Sequence, residues 1–240
     1  MMWRFLTILM LPAVLVGCNG SKRVITRLPP PAVPMVSSPK APVTPAQPPK
    51  VPSRSVSGTV IVVDAGHGGK DPGAGERTKS RLPEKTINLD IARKVGRMLS
   101  DRGARVVYTR TSDVFIELAD RAALAERNRA DLFVSIHADS HHNPDISGTK
   151  VFIYERASMQ SRRAGLCMVD AFKEAGIACR GLNSDNFHVL REHSRPAVLI
   201  ECGYLTNGRD AGMLNTSSYR SRIAGTIVEG IVDYFSRYGS

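Results

Sequence analysis

Cysteine is scarce in this 240-residue chain, with four in all. Beyond Cys18 only Cys167, Cys179 and Cys202 remain. An odd number at irregular spacing is neither a disulfide framework nor a metal knuckle, and the spacing leaves open whether Cys167 and Cys179 pair. Acid is absent from residues 19 to 58, a stretch that holds ten of the fifteen prolines and six Lys or Arg. Such a segment cannot bury a core and is expected to behave as an extended, semi-rigid tether. Together with Arg4 it carries +7 of the formal +11, which leaves +4 for residues 59 to 240. The basic balance therefore gives no support to nucleic-acid binding, and no DNA- or RNA-binding motif is present. A basic tether beside anionic lipid or an acidic cell-wall polymer accounts for the charge as well. A bilayer-spanning run is missing at the start too: residues 5 to 17, FLTILMLPAVLVG, are too few and are interrupted by Pro12. A positive start, a short apolar core and small residues at its end describe a secretory signal over residues 1 to 17.

The end of that signal, Leu15-Val16-Gly17-Cys18, resembles the lipobox of bacterial lipoproteins. The resemblance implies a lipid on Cys18, membrane attachment of a tether over residues 18 to 58, and a periplasmic location. Asn19 after the cysteine favours the outer membrane.

From Thr59 onward the texture is an alternation of strands and helices. TVIVVDA, a continuous β-branched run, reads as a fully buried strand. EKTINLDIARKVGRMLSDRG sets Ile87, Ile91, Val95, Met98 and Leu99 at helical spacing and stops at Gly103. ARVVYT, DLFVSIH, GTKVFIYE and AVLIECG read as further strands; residues 115 to 130, 158 to 176 and 217 to 236 read as helices. There are no internal repeats. The pattern predicts one α/β domain over residues 59 to 240, a mostly parallel twisted sheet with helices on both faces and a site at the C-terminal edge of the strands.

The glycine-rich stretch VVDAGHGGKDPGAG, residues 62 to 75, invites a phosphate reading. A dinucleotide fingerprint fails because Asp71 stands where the third glycine belongs, and a P-loop fails because Gly69-Lys70 is followed by Asp71. The loop instead presents His67 just beyond the first strand. His137 ends FVSIH, Glu201 ends AVLIE, and Glu84 opens the helix after the loop. Parallel strands bring these four to one edge, where open α/β sheets bind ligands. Two histidines and a carboxylate with a free coordination position are the ligand set of a catalytic zinc, although no H-E-x-x-H is present.

The order of the pieces adds specificity. VVDAGHGGKDPGA, EKTINLDIARKV, VVYTRTSD, RAALAERNRADLFVSIHAD, AVLIECGYLTN and YRSRIAGTIVEGIVDYF together resemble the zinc-dependent N-acetylmuramoyl-L-alanine amidases of bacterial cell-wall turnover and division, over about Thr59 to Tyr238. The resemblance implies that His67, Glu84 and His137 hold Zn²⁺ and that Glu201 is the catalytic carboxylate. It implies peptidoglycan as the substrate, cut between the lactyl group of N-acetylmuramic acid and the stem peptide's L-alanine. Glu201 would act as general base and then general acid, and Asp64 is a candidate either to support His67 from behind or to cap the loop. Arg191 is a candidate to grip substrate carboxylates. His141 and His142 read as solvated, while His188 and His193 are candidates to line a groove.

Two departures from that family's pattern stand out. Asp139 replaces the usual asparagine after His137-Ala138 and is a candidate to orient substrate. Only thirteen residues separate His137 from Val151, too few for the autoinhibitory helical insertion of relatives that need an activator protein. The expectation is a site open without one. Rival readings are a penicillin-binding D,D-carboxypeptidase through Ser147-Gly148-Thr149-Lys150 and Ser184-Asp185-Asn186, which lacks a K-T-G, and a non-catalytic wall-binding lipoprotein. The latter should have lost a ligand or the acid, and all four residues are present.

Overall fold

The computed structural model describes residues 56–75 and 78–239; the signal, the lipobox with Cys18 and the tether up to residue 55 lie outside them. In chain order the elements are β1 (Val60–Ala65), α1 (Glu84–Ser100), β2 (Arg105–Tyr108), α2 (Leu118–Arg127), β3 (Leu132–Asp139), β4 (Thr149–Tyr154), α3 (Met159–Glu174), β5 (Cys179–Asp185), α4 (His188–Arg191), β6 (Ala197–Tyr204), α5 (Gly208–Leu214) and α6 (Ser217–Tyr238). One six-stranded sheet runs in the order β2-β1-β3-β6-β4-β5. Strands β2, β1, β3 and β6 are parallel, β4 is antiparallel to β6, and β5 runs parallel to β4. This is the single α/β domain with a mostly parallel sheet that the alternation of elements predicts.

Successive side chains on a strand point to opposite faces, and that alternation divides the core in two. Ile61, Val63 and Ala65 of β1, Val134 and Ile136 of β3, and Val198 and Ile200 of β6 belong to the larger cluster, closed by α1, α3 and α6. Val62, Phe133 and Leu199 turn the other way, into a smaller cluster closed by α2 and α4. Ile87, Ile91, Val95 and Leu99 of α1 are fully buried in the larger cluster, a stripe worth about 1.5–3 kcal/mol per side chain.

Several features differ from the sequence expectation, among them the short helices α4 and α5, which no apolar pattern announces. β5 was not anticipated: Cys-Arg-Gly-Leu-Asn-Ser-Asp has no β-branched residue and is half exposed, so it is held by backbone pairing to β4 rather than announced by apolar pattern. α2 begins at Leu118, because Glu117 is extended (φ −62°, ψ 146°); residues 115 to 117 are loop. The fold also starts slightly before Thr59, since Val56 is buried in the larger cluster. Cys167, Cys179 and Cys202 are free thiols. No helix among the described residues is long and apolar enough to cross a membrane.

Candidate metal and catalytic site

β3 pairs with both β1 and β6, and its register sets His137 opposite Glu201 and Ser135 opposite Asp64. Alternation sends all four to the α2/α4 side of the sheet, because their neighbours Val134, Ile136 and Ile200 face the larger cluster. Two residues past β1, His67 adopts a left-handed backbone (φ 60°), a conformation that costs a non-glycine residue about 1–2 kcal/mol.

Two arginines hold the loop in place. Arg121, on α2, donates from Nη1 to the Ala65 carbonyl (2.7 Å) and from Nη2 to the His67 carbonyl (2.8 Å). Arg110 donates from Nε to the same Ala65 carbonyl (2.9 Å) and from Nη2 to that of Gly66 (2.8 Å). The carbonyls of three consecutive residues are thereby fixed by buried guanidinium groups.

The side chains of His67, Glu84 and His137 converge. Oε1 of Glu84 lies 3.1 Å from Nε2 of His67 and 3.2 Å from Nδ1 of His137, and the two rings meet edge to face at 4.9 Å. One ligand atom from each of the three lies within 4.8 Å of the others. Glu84 is fixed by more than the histidines: Oε1 accepts from Asn88 Nδ2 and the Ala138 amide, and Oε2 from the Ala74 amide. Gly66 makes the approach possible, since a Cβ there would sit 2.2 Å from Cε1 of His137. Two imidazoles and a carboxylate, with His67 backed by Asp71 and Glu84 by Asn88 and two backbone amides, fit a divalent metal ion.

Electrostatics follow the geometry. Burial works against the charged form of His67, but the Glu84 and Asp71 carboxylates outweigh it and raise its pKa to about 9. Burial likewise opposes ionisation of Glu84, and the two histidines overcome it, leaving the carboxyl far below its ordinary range. Glu201 goes the opposite way. Its own burial, then the Asp139 and Glu84 charges, push its pKa well above the usual 4.5, and its Oε2 is buried without a hydrogen-bond partner. A buried carboxyl oxygen without a partner is costly, and such perturbed groups cluster at functional sites. Glu201 lines a cleft of about 610 Å³ together with His67, Glu84 and His137. Phe115, Ile116, Phe187 and Val189 supply apolar wall.

Not every sequence candidate joins that group. Asp64 does not support the His67 ring: its Oδ1 accepts from Arg121 Nη1 (2.8 Å) and Thr109 Oγ1 (2.7 Å), and its Oδ2 from Ser135 Oγ (2.6 Å). The carboxylate on Nδ1 of His67 is that of Asp71, at 2.7 Å. Asp64 acts on the loop through Arg121 instead. Arg191 pairs with Glu192 (2.6 Å) and Asn186 (2.9 Å) and lines a separate depression with His193, so it does not face the cleft. Asp139 and His188 do line the cleft, whereas His141 and His142 stack on one another outside it. Ser147 precedes β4 rather than opening a helix, and Lys150 lies over the Phe152 ring. Sequence reasoning missed Asp71, Asn88, Arg110 and Arg121. The first two carry a signal in hindsight, each standing four residues after a member of the triad.

A prospective metal triad and a buried acid sharing one cleft at the strand ends of an open α/β sheet is the architecture of a hydrolase. The chain belongs to the N-acetylmuramoyl-L-alanine amidase family, whose model matches residues 61–233. It is similar to the probable cell wall amidase LytH of Staphylococcus epidermidis, at 35% identity over 184 residues; the match covers 77% of this chain but only 61% of that relative's length. Among solved structures, the catalytic domain of CwlV, an N-acetylmuramoyl-L-alanine amidase from Bacillus (Paenibacillus) polymyxa var. colistinus, is 39% identical with a TM-score of 0.69, over 74% of this chain and 98% of that one. The N-acetylmuramoyl-L-alanine amidase AmiC2 of Nostoc punctiforme is 37% identical with a TM-score of 0.68, over 75% and 99%.

Proposed function

We propose that the chain hydrolyses the amide between N-acetylmuramic acid and the L-alanine of peptidoglycan stem peptides, with zinc held by His67, Glu84 and His137 and with Glu201 as proton carrier. The observation that carries this reading is the convergence of the three ligand atoms within 4.8 Å beside the buried Glu201 carboxyl, whose Oε2 has no partner. Zinc with three protein ligands supplies Lewis acidity that lowers the pKa of a water to about 7 and polarises a carbonyl. Asp71 accepts the proton of His67 Nδ1 and so leaves Nε2 as the lone pair turned toward Glu84 and the ion. Glu201, with its raised pKa, takes a proton from the attacking water and delivers it to the departing alanine nitrogen. The apolar walls exclude bulk water, which strengthens each of these interactions.

The reading extends to the cell. A secreted lipoprotein, anchored through Cys18 to the outer membrane and reaching the wall from the periplasm by its tether, would remodel peptidoglycan at daughter-cell separation. The stretch from residue 140 to 148 contains turns and no helix, which supports a site open to substrate without an activator protein. The decisive experiment is release of free stem peptides from purified sacculi. It should be abolished by a chelator, restored by zinc, and absent in Glu201→Ala. Release that survives chelation would remove the metal from the reading, and activity that appears only with an added protein would remove the open site.

A further inference from the structure

The cleft that would receive the stem peptide has the wrong charge for an anionic ligand. Five carboxylates line it beyond the internally paired Asp64: Asp71, Glu84, Glu117, Asp139 and Glu201. Among the described residues that line it the one arginine is Arg121, which is committed to the protein, with Nε on the Ile116 carbonyl, Nη1 on Asp64 and Ala65, and Nη2 on His67. No lysine lines the cleft among the described residues. Lys70 and Lys150 stand outside the lining, over Phe115 at 4.3 Å and Phe152 at 4.5 Å, and of the two the Lys150 charge reaches Asp139 and Glu201 and partly offsets them. Arg191 is not among the lining residues; its guanidinium is paired with Glu192, with Nη2 3.5 Å from Nδ1 of cleft-lining His188. A divalent ion on the triad offsets two of the five, and Glu201 is held toward its neutral form by burial, which leaves Glu117 and Asp139. Glu117 is exposed at the start of α2 and its side chain makes no capping bond, so it stands free to meet a ligand. Asp139 lies on the same wall as His137, accepting the Ser140 amide.

We infer that this cleft selects stem peptides that are neutral or cationic beside the scissile amide, such as those whose residue after L-alanine carries a carboxamide in place of a free carboxylate. Glu117 and Asp139 are the specificity-determining side chains. Like charges repel, more strongly at the half-buried Asp139 than at the exposed Glu117, and a partner without the charge escapes that cost. The selectivity rests on the amidase reading and refines it by naming the substrate class.

Two synthetic muramoyl peptides that differ only in that carboxylate or carboxamide separate the possibilities. With zinc-loaded full-length protein, kcat/KM for the carboxamide should exceed that for the carboxylate by about fivefold or more at low ionic strength. The ratio should shrink with added salt, and should narrow in Glu117→Gln and further in Glu117→Gln/Asp139→Asn. Equal rates, a preference for the carboxylate, or a ratio indifferent to both substitutions would overturn the selectivity while leaving the amidase reading intact. Hydrolysis of neither peptide, together with no release from sacculi, would remove the amidase reading and the selectivity with it.

Discussion

Replacing Gly66 by alanine drives a methyl group into the ring of His137. The new Cβ would lie 2.2 Å from Cε1 and 2.3 Å from Nε2, where ordinary contact begins at 3.4 Å, so ring or loop must retreat by roughly 1.2 Å. The loop is poorly placed to move, because the carbonyls of Ala65, Gly66 and His67 are held by Arg110 and Arg121. The ring is therefore the part that yields. Metal ligation tolerates only about 0.2 Å of displacement, so the substitution removes His137 from the triad rather than weakening it. Loss of a ligand's orientation costs about 10- to 100-fold in affinity, and complete loss of a ligand should exceed that. Zinc titration by calorimetry on the chelator-stripped protein measures the effect, with the melting temperature of the same metal-free sample as a control for folding. A Gly66→Ala protein that melts within a few degrees of the parent yet binds zinc at least about 100-fold more weakly meets the expectation. If the variant is folded and its zinc affinity is within threefold of the parent, the close approach of loop and ring is not what shapes the site.

Other outcomes follow from the same geometry. Glu201→Gln should keep zinc affinity and lower kcat by about 10²–10⁴-fold; a comparable loss of zinc affinity would make Glu201 a ligand instead. Metal-free His67 holds its proton up to about pH 9, so zinc must displace it, and affinity should rise about tenfold per pH unit between pH 7 and pH 9 and then flatten; calorimetry in buffers of different ionisation enthalpy counts the proton. Without metal, that raised pKa makes the His67 contribution to stability complete below about pH 6.5 and lost as pH rises through about 9, which urea unfolding with chelator will show as a fall in stability on the alkaline side. Asp71→Asn should weaken zinc about tenfold without unfolding the domain, because it removes the charge that orients the ring of His67.

Legibility in the sequence tracks physical cause. The buried strands and α1 announce themselves because their side chains repeat with the period of the element and face one core; Ile61 to Val63 and Ile87 to Leu99 could hardly read otherwise. The meeting of His67, His137 and Glu201 was legible from strand ends alone, since parallel neighbours open at one edge. β5 was illegible because an edge strand built from Gly, Asn, Ser and Asp is held by main-chain pairing. Asp64 was only half legible, since of the two roles open to it, supporting the ring and fixing the loop, the bonds favour the second. It stands three residues from His67, but its carboxylate is taken by Arg121, 57 residues away, while Asp71 folds back to the ring through a glycine loop. Arg191 was misread, since its pairing with Glu192 depends on a four-residue helix that apolar pattern does not reveal.

The Asp64–Arg121 pair is where the demands of stability and of the site diverge. Both side chains are almost wholly buried. Burial opposes ionisation of Asp64, and Arg121, then Ser135 and Thr109, overcome it and hold the pKa below its ordinary value. A buried pair of this kind rarely stabilises a fold more than apolar side chains of the same volume, whereas removing one partner costs about 3–5 kcal/mol. Replacing both partners and replacing one therefore separate the two roles. Asp64→Ala should destabilise by about 3–5 kcal/mol in urea unfolding, much of the stability of an ordinary domain. An apolar double replacement, Asp64→Leu with Arg121→Met, should recover part of that loss, because it removes the unpaired charge but still leaves the Ser135 and Thr109 hydroxyls and the Ile116, Ala65 and His67 carbonyls without these partners. Recovery of stability without recovery of zinc affinity would assign the pair to holding His67 in its left-handed conformation. Recovery of both would mean that Arg110 and the glycine loop suffice, and that the buried charges serve packing alone.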